Sequence, residues 1–183
     1  VSDALPQVTA ILADIGLDPD FSMVLPSVLD AARARGVAVH QAIEAIAYGY
    51  FDESELPLDA APYLDAYRKF ISESGYAATI SEIEVAHDLW RYRGHIDSVG
   101  LLRGHRAVID WKAVASLNRT AVGYQLAGYH AAWNASRPTE PAQIAAAVQL
   151  RADGTYRFYE IDVNASLPGF LAAVTVWYAK RAA

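Results

Sequence analysis

The chain has 183 residues, 54% of them apolar and 20% charged, which suits a single folded domain with a sizeable core and excludes a disordered chain. It contains no cysteine, so a disulfide framework, a thiolate zinc site, a cysteine-ligated iron–sulfur cluster and a cysteine nucleophile are all excluded. A formal charge of −6 does not by itself favour nucleic acid as a partner.

Residues 6–16 read as a short helix, with Pro6 near its start and Gly16 at its end. Residues 26–49 read as a longer helical region, interrupted or bent near Gly36. An acidic loop, 52–59, leads to a helix from about Ala60 to Ser74, in which Tyr63, Leu64, Tyr67, Phe70 and Ile71 keep helical spacing. After Gly75 the period changes to two, and residues 79–87, 91–99 and 106–112 predict an antiparallel meander. Residues 120–135 return to helix, with Thr120 as N-cap. Strands 142–150 and 155–162 flank Asp153-Gly154, a hairpin signal, and a last helix covers roughly 166–182 with Lys180 and Arg181 at its C-terminal end. This order predicts an α/β domain with a central mixed sheet flanked by helices.

No basic segment followed by an apolar run opens the chain, so no signal peptide is read. The apolar stretch from Leu167 to Ala179 is short for a membrane span and contains Pro168 and Gly169. A cytoplasmic protein with no membrane partner is the expectation.

The chemistry concentrates in Gly94-His95-Ile96-Asp97 and, further on, Asp110-Trp111-Lys112. Alternation along a strand puts Asp110 and Lys112 on one side, and hairpin pairing brings Asp97 toward the same face. Two carboxylates and the Trp111 carbonyl offer the oxygen ligands that Mg²⁺ or Mn²⁺ prefers, with Lys112 beside them to stabilise charge on a phosphate. An isolated Asp-x-Lys is more often a cross-strand ion pair, but these acids sit inside apolar strands, where an unpaired carboxylate is costly. Glu82 and Glu84 share a parity on the preceding strand, so either is a candidate to approach the site.

His40 and Glu44 lie four apart on one helix, as do Gln125 and Tyr129 on another. Gln125 offers a donor and an acceptor, and Tyr129 a hydroxyl. Trp90, Trp111 and Trp133 have faces that bases can stack on, although core packing is the commoner use. His87, His95, His105 and His130 form no zinc pattern, and no nucleophile elbow or phosphate-binding Gly-rich loop is present. Between Leu89 and Pro138 seven bases (Arg91, Arg93, Arg103, Arg106, Lys112, Arg119 and Arg137) face two acids, while the rest of the chain holds eight bases against nineteen acids. The basic stretch coincides with the motif, where a phosphate backbone has to lie.

The ordered set His40, Glu82, Gly94-His95-Ile96-Asp97, Ile109-Asp110-Trp111-Lys112 and Gln125-Leu126-Ala127-Gly128-Tyr129 resembles the PD-(D/E)XK nuclease superfamily, and within it the RecB-type and phage exonuclease branch. Leu5-Pro6-Gln7-Val8-Thr9 followed by Ile11-Leu12 is similar to the opening of phage members. The resemblance implies a restriction-endonuclease-like core with the site at the sheet edge. It implies Asp97 and Asp110 as the family acids, Lys112 as the motif lysine, and His40 and Glu82 as upstream metal-site residues, Glu82 fitting better than Glu84. It implies Gln125 and Tyr129 as the helix motif tied to DNA and site geometry. Ile96 stands where the superfamily has its proline, and Ala113 where Thr or Ser is frequent.

The function so implied is Mg²⁺- or Mn²⁺-dependent hydrolysis of DNA, as an exonuclease of recombination, repair or phage DNA metabolism. A homo-oligomer or a recombination partner protein is left open. The competing readings are a non-catalytic DNA-binding or assembly module with the same fold, and a structure-specific endonuclease of the junction-resolvase kind.

Overall fold

The structure is a computed structural model that describes residues 5–17 and 25–182. Among the described residues, a five-stranded sheet runs in the order β1 (Ala77–His87), β2 (Tyr92–Leu102), β3 (His105–Lys112), β4 (Ile144–Leu150), β5 (Tyr156–Glu160). β1–β2, β2–β3 and β4–β5 pair antiparallel, while β3 and β4 pair parallel. A parallel pair needs a crossover, and helix α4 (Arg119–Ser136) supplies it. The predicted meander and mixed sheet are both present.

Helices cover both faces. On one side α1 (Val8–Asp14), α4 and α5 (Val163–Ala182) enclose Tyr92, Ile96, Val99, Val108, Leu126 and Phe170. On the other, α2 (Pro26–Tyr48) and α3 (Ala61–Ser74) enclose Leu64, Tyr67, Phe70, Ile109, Trp111 and Val148. β4 is buried along its whole length, as a strand with helices on both sides must be, and its small apolar Ile-Ala-Ala-Ala-Val run suits that place. On β3, Ala107, Ile109 and Trp111 face α3, so strict alternation turns Val108, Asp110 and Lys112 toward α4.

On β1 and β2 that alternation fails, with a register shift between Ala78 and Ile80 and a break near Glu82, and the second failure shapes the site. Ile80 and Ile83 of β1 both join the α4-side core, as do Ile96 and Val99 of β2. The break in β1 centres on Glu82, whose φ of 53° is left-handed, a strained conformation for a residue with a side chain. Glu82 lies opposite Asp97, between the pairs Ser81↔Ser98 and Ile83↔Ile96. β2 pairs with β3 only from Ser98 to Leu102, so the two strands part at Asp97 and leave a fork.

Several boundaries differ from those expected. α2 runs through Gly36 without interruption, because one glycine among good helix formers costs only about 1 kcal/mol. The N-cap of α4 is Asn118, not Thr120; its side chain accepts from the Ala121 N–H at 3.1 Å. β5 stops at Glu160, and α5 begins earlier than expected because Asp162 Oδ1 accepts from the Ala165 N–H at 3.0 Å and caps it. The acidic loop carries a single 3-10 turn, Glu53–Glu55. Gly154, at φ 72°, makes the turn in the β4–β5 hairpin. Among the described residues no helix is long and apolar enough to cross a membrane.

Tyr129 packs beneath β2 because residue 94 has no side chain: a Cβ there would lie 2.5 Å from the Tyr129 ring. Gly94→Ala is therefore expected to overpack this contact and lower stability by about 1–3 kcal/mol. Urea unfolding checks this, and an unchanged midpoint contradicts the close packing.

Candidate metal centre

The fork between β2 and β3 brings the acidic residues together. Asp97 lies where the strands part, and its Oδ2 accepts a hydrogen bond from the Trp111 N–H at 2.8 Å. A side chain thus takes the donor that the diverging ladder leaves unpaired. From α2, whose Val39 and Ile43 anchor in the α3-side core, His40 reaches over so that Nδ1 lies 3.6 Å from Asp97 Oδ2. Glu82 completes a group of three: one ligand atom from each of His40, Glu82 and Asp97 lies within 4.8 Å of the others. An imidazole nitrogen and two carboxylate oxygens can hold a divalent metal ion.

Asp110 stands in an adjoining group. It is 2% exposed, its Oδ2 lies 2.9 Å from Lys112 Nζ, and its Oδ1 accepts from Gln125 Nε2 at 3.2 Å. Lys112 Nζ also donates to Gln125 Oε1 at 3.1 Å, and Gln125 Nε2 donates to the Tyr129 hydroxyl at 3.0 Å. One amide therefore ties the acid, the lysine and the tyrosine together. The Asp110 Oδ2 atom is buried, and among the described residues its close partner is the Lys112 ammonium, which leaves it a free lone pair to offer a cation.

The expected site residues thus occupy one region in two linked groups, His40–Glu82–Asp97 and Asp110–Lys112–Gln125–Tyr129. Glu82 and Glu84 keep a common face, but only Glu82 reaches the group, while Glu84 makes an exposed pair with Arg93 at 3.4 Å. The Trp111 indole is not a stacking face: it is 1% exposed, packed edge-on against Tyr67 and Phe70, and only its backbone enters the site. Trp133 is likewise core, and Trp90 lies in the exposed β1–β2 turn. His130 is tied to the Ala142 carbonyl, away from the site.

A cleft of ≈ 1110 Å³ opens between α2 and residues 113–118, with His40, Glu82 and Lys112 in its lining. Its basic lining differs from the one expected. Arg103 and Arg106 lie at the β2–β3 turn, at the other end of the sheet from Lys112, with Arg106 3.4 Å from Glu140. Arg137 stacks on Trp133 at the far end of α4. Arg33 and Arg35 of α2, outside the basic stretch, line the cleft instead. Sequence reading weighed His95 only as part of a zinc pattern and gave it no role; its Nε2 lies 2.5 Å from Glu82 Oε2. The signal was available in its position two residues before Asp97, on the same side of β2.

Burial, and then repulsion from Asp110, hold the Asp97 carboxyl far above its usual 3.8, at about 7, against the lowering pull of His40, Lys112 and the Trp111 N–H. Burial alone would depress Lys112, but Asp110 and Asp97 outweigh it and keep the ammonium above its ordinary value. Burial and Asp110 also raise Tyr129, so it presents a neutral hydroxyl.

A raised folded value means that ionising Asp97 opposes folding. The metal-free protein is expected to lose this contribution as pH rises from about 4 toward about 7, and Mn²⁺ to restore it. Thermal melts of the parent and Asp97→Asn in chelator, from pH 5 to pH 8, measure it. The variant should show the shallower decline, and equal slopes contradict the assignment.

No family model and no curated protein sequence matches the chain. Among solved structures, one from Eubacterium rectale described as a "putative exonuclease" aligns with a TM-score of 0.57 at 14% identity, over 80% of this chain and 65% of that one. This chain therefore spans less than two thirds of that protein's length. The alkaline exonuclease LHK-Exo of Laribacter hongkongensis aligns at a TM-score of 0.40 and 17% identity, over 63% of this chain and 67% of that one. Its complex with dAMP aligns at 0.45 and 12% identity, over 96% and 87%. The similarity to the Eubacterium rectale structure establishes that the chain shares its α/β fold, a five-stranded mixed sheet packed between helices.

Proposed function

We propose that residues 1–183 form a single nuclease-like domain, a Mg²⁺- or Mn²⁺-dependent deoxyribonuclease working as an exonuclease in recombination, repair or phage DNA metabolism. The observation that carries the reading is the meeting of His40, Glu82 and Asp97 near the buried Asp110–Lys112 pair, with His40, Glu82 and Lys112 opening onto one cleft. His40, Asp97 and Asp110, with Glu82 and the Trp111 carbonyl, would hold the ion. The donors fit it: oxygen ligands dominate, as Mg²⁺ and Mn²⁺ prefer. The three side chains lie close enough, within 4.8 Å of one another, to share one such ion, with water free to fill its remaining positions.

The ion, when bound, supplies charge neutralisation at the scissile phosphate and acidifies water. This chain's own residues would do the rest. Lys112, kept charged by Asp110 and Asp97, would face the phosphate and stabilise the charge that develops on its oxygens. Gln125 would hold the lysine and Asp110 at fixed separation, with Tyr129 bracing the amide. Arg33 and Arg35 on the cleft wall would meet the strand's other phosphates, which offsets the net acidity of the chain.

Digestion of end-labelled single- and double-stranded DNA with Mn²⁺, alongside closed circular DNA, tests the reading. Linear DNA is expected to be degraded from its ends and the circle spared. Asp110→Asn and Lys112→Ala should each lose roughly a hundredfold or more of the rate, and full activity in both ends this mechanism. Cutting of the circle or of branched DNA would point to the endonuclease reading, and DNA binding without cleavage to the non-catalytic one.

A further inference from the structure

The three candidate ligands are not held equally. Asp97 is fixed by the Trp111 N–H, and His40 is carried on a helix anchored in the core. Glu82 has neither support. Its backbone is left-handed, its side chain is 26% exposed, and a glutamate has three torsions to settle. Among the described residues its carboxylate has one hydrogen-bond partner, His95 Nε2 at 2.5 Å.

His95 is well placed for this. It pairs across the hairpin with Glu84, so Glu82 is its diagonal neighbour, within reach of a long side chain. Its backbone is pinned where Gly94 packs on the Tyr129 ring, and Tyr129 is bonded to Gln125. A line of contact therefore runs from the Asp110–Lys112–Gln125 group through Tyr129 and β2 to the exposed edge of the other group.

We infer that His95 is a positioning residue: its Nε2–H binds Glu82 Oε2 and turns the other carboxylate oxygen toward His40 and Asp97. The inference rests on the metal reading of the site. It assigns His95 no contact with the ion or with DNA. Outer groups of this kind orient a ligand that would otherwise sample several rotamers, and their loss commonly weakens metal binding by about 10–100-fold.

Calorimetric titration of the full chain with Mn²⁺ tests this in the parent, Glu82→Ala, His95→Ala and His95→Gln. Because His95 is 49% exposed, its variants should fold. His95→Ala is expected to bind Mn²⁺ about 10–100-fold more weakly, and His95→Gln, whose amide can still donate, to recover most of the loss. On DNA, His95→Ala should lower kcat with little change in KM. If Glu82→Ala weakens Mn²⁺ binding and His95→Ala does not, the positioning role is wrong and the metal site stands. If His95→Gln binds as weakly as His95→Ala, the imidazole acts as a ligand and the inference is overturned. If Glu82→Ala leaves binding unchanged, the metal reading that includes Glu82 fails, and the positioning role with it.

Discussion

The hydrogen bond from the Trp111 N–H to Asp97 is the constraint on which the rest of the site depends. β2 and β3 cannot remain paired past Ser98 and also leave room between them for side chains. Opening the ladder leaves the Trp111 N–H without a strand partner, and an unsatisfied buried donor costs about 1–3 kcal/mol. The Asp97 carboxylate satisfies it. The same bond holds that carboxylate where His40 and Glu82 can reach it, while the Trp111 indole anchors the other side of β3 in the α3-side core. Opening the sheet and building the site are one structural event.

Its electrostatic consequence is a crowding of like charge at the fork. Asp97 and Asp110 repel each other at close range, and Lys112 is shared between them. Glu82 adds a third acid on a left-handed backbone. Such strain and like-charge crowding tend to mark working sites, because a fold under selection for stability alone has simpler solutions. The Gln125 amide contains the tension on one side by bonding both Asp110 and its counter-ion Lys112, and its tie to Tyr129 reaches β2 through Gly94.

Much of this was legible in the residues. The change of period after Gly75 located the meander, and alternation along Val108–Lys112 put Asp110 and Lys112 on one face. Spacing of four brought Gln125 and Tyr129 together on α4. What stayed illegible depended on breaks in periodicity or on contacts between distant segments. No local signal announces that Glu82 adopts a positive φ, and by parity alone Glu84 was as good a candidate; only the family resemblance favoured Glu82. The basic stretch from Arg91 to Arg137 looked like one patch, but a hairpin and a helix carry Arg103, Arg106 and Arg137 to the opposite end of the sheet. Arg33 and Arg35 reach the cleft only because α2 packs across the fork. His95 was written beside Asp97 throughout, yet its partner lies thirteen residues away on another strand.

Anomalous diffraction from Mn²⁺-soaked crystals tests the central claim most directly. The account predicts a peak at coordination distance from His40, Glu82 and Asp97, absent from crystals of Asp97→Ala prepared in the same way. A peak elsewhere on the molecule with none at the fork, or an unchanged peak in the variant, would contradict it.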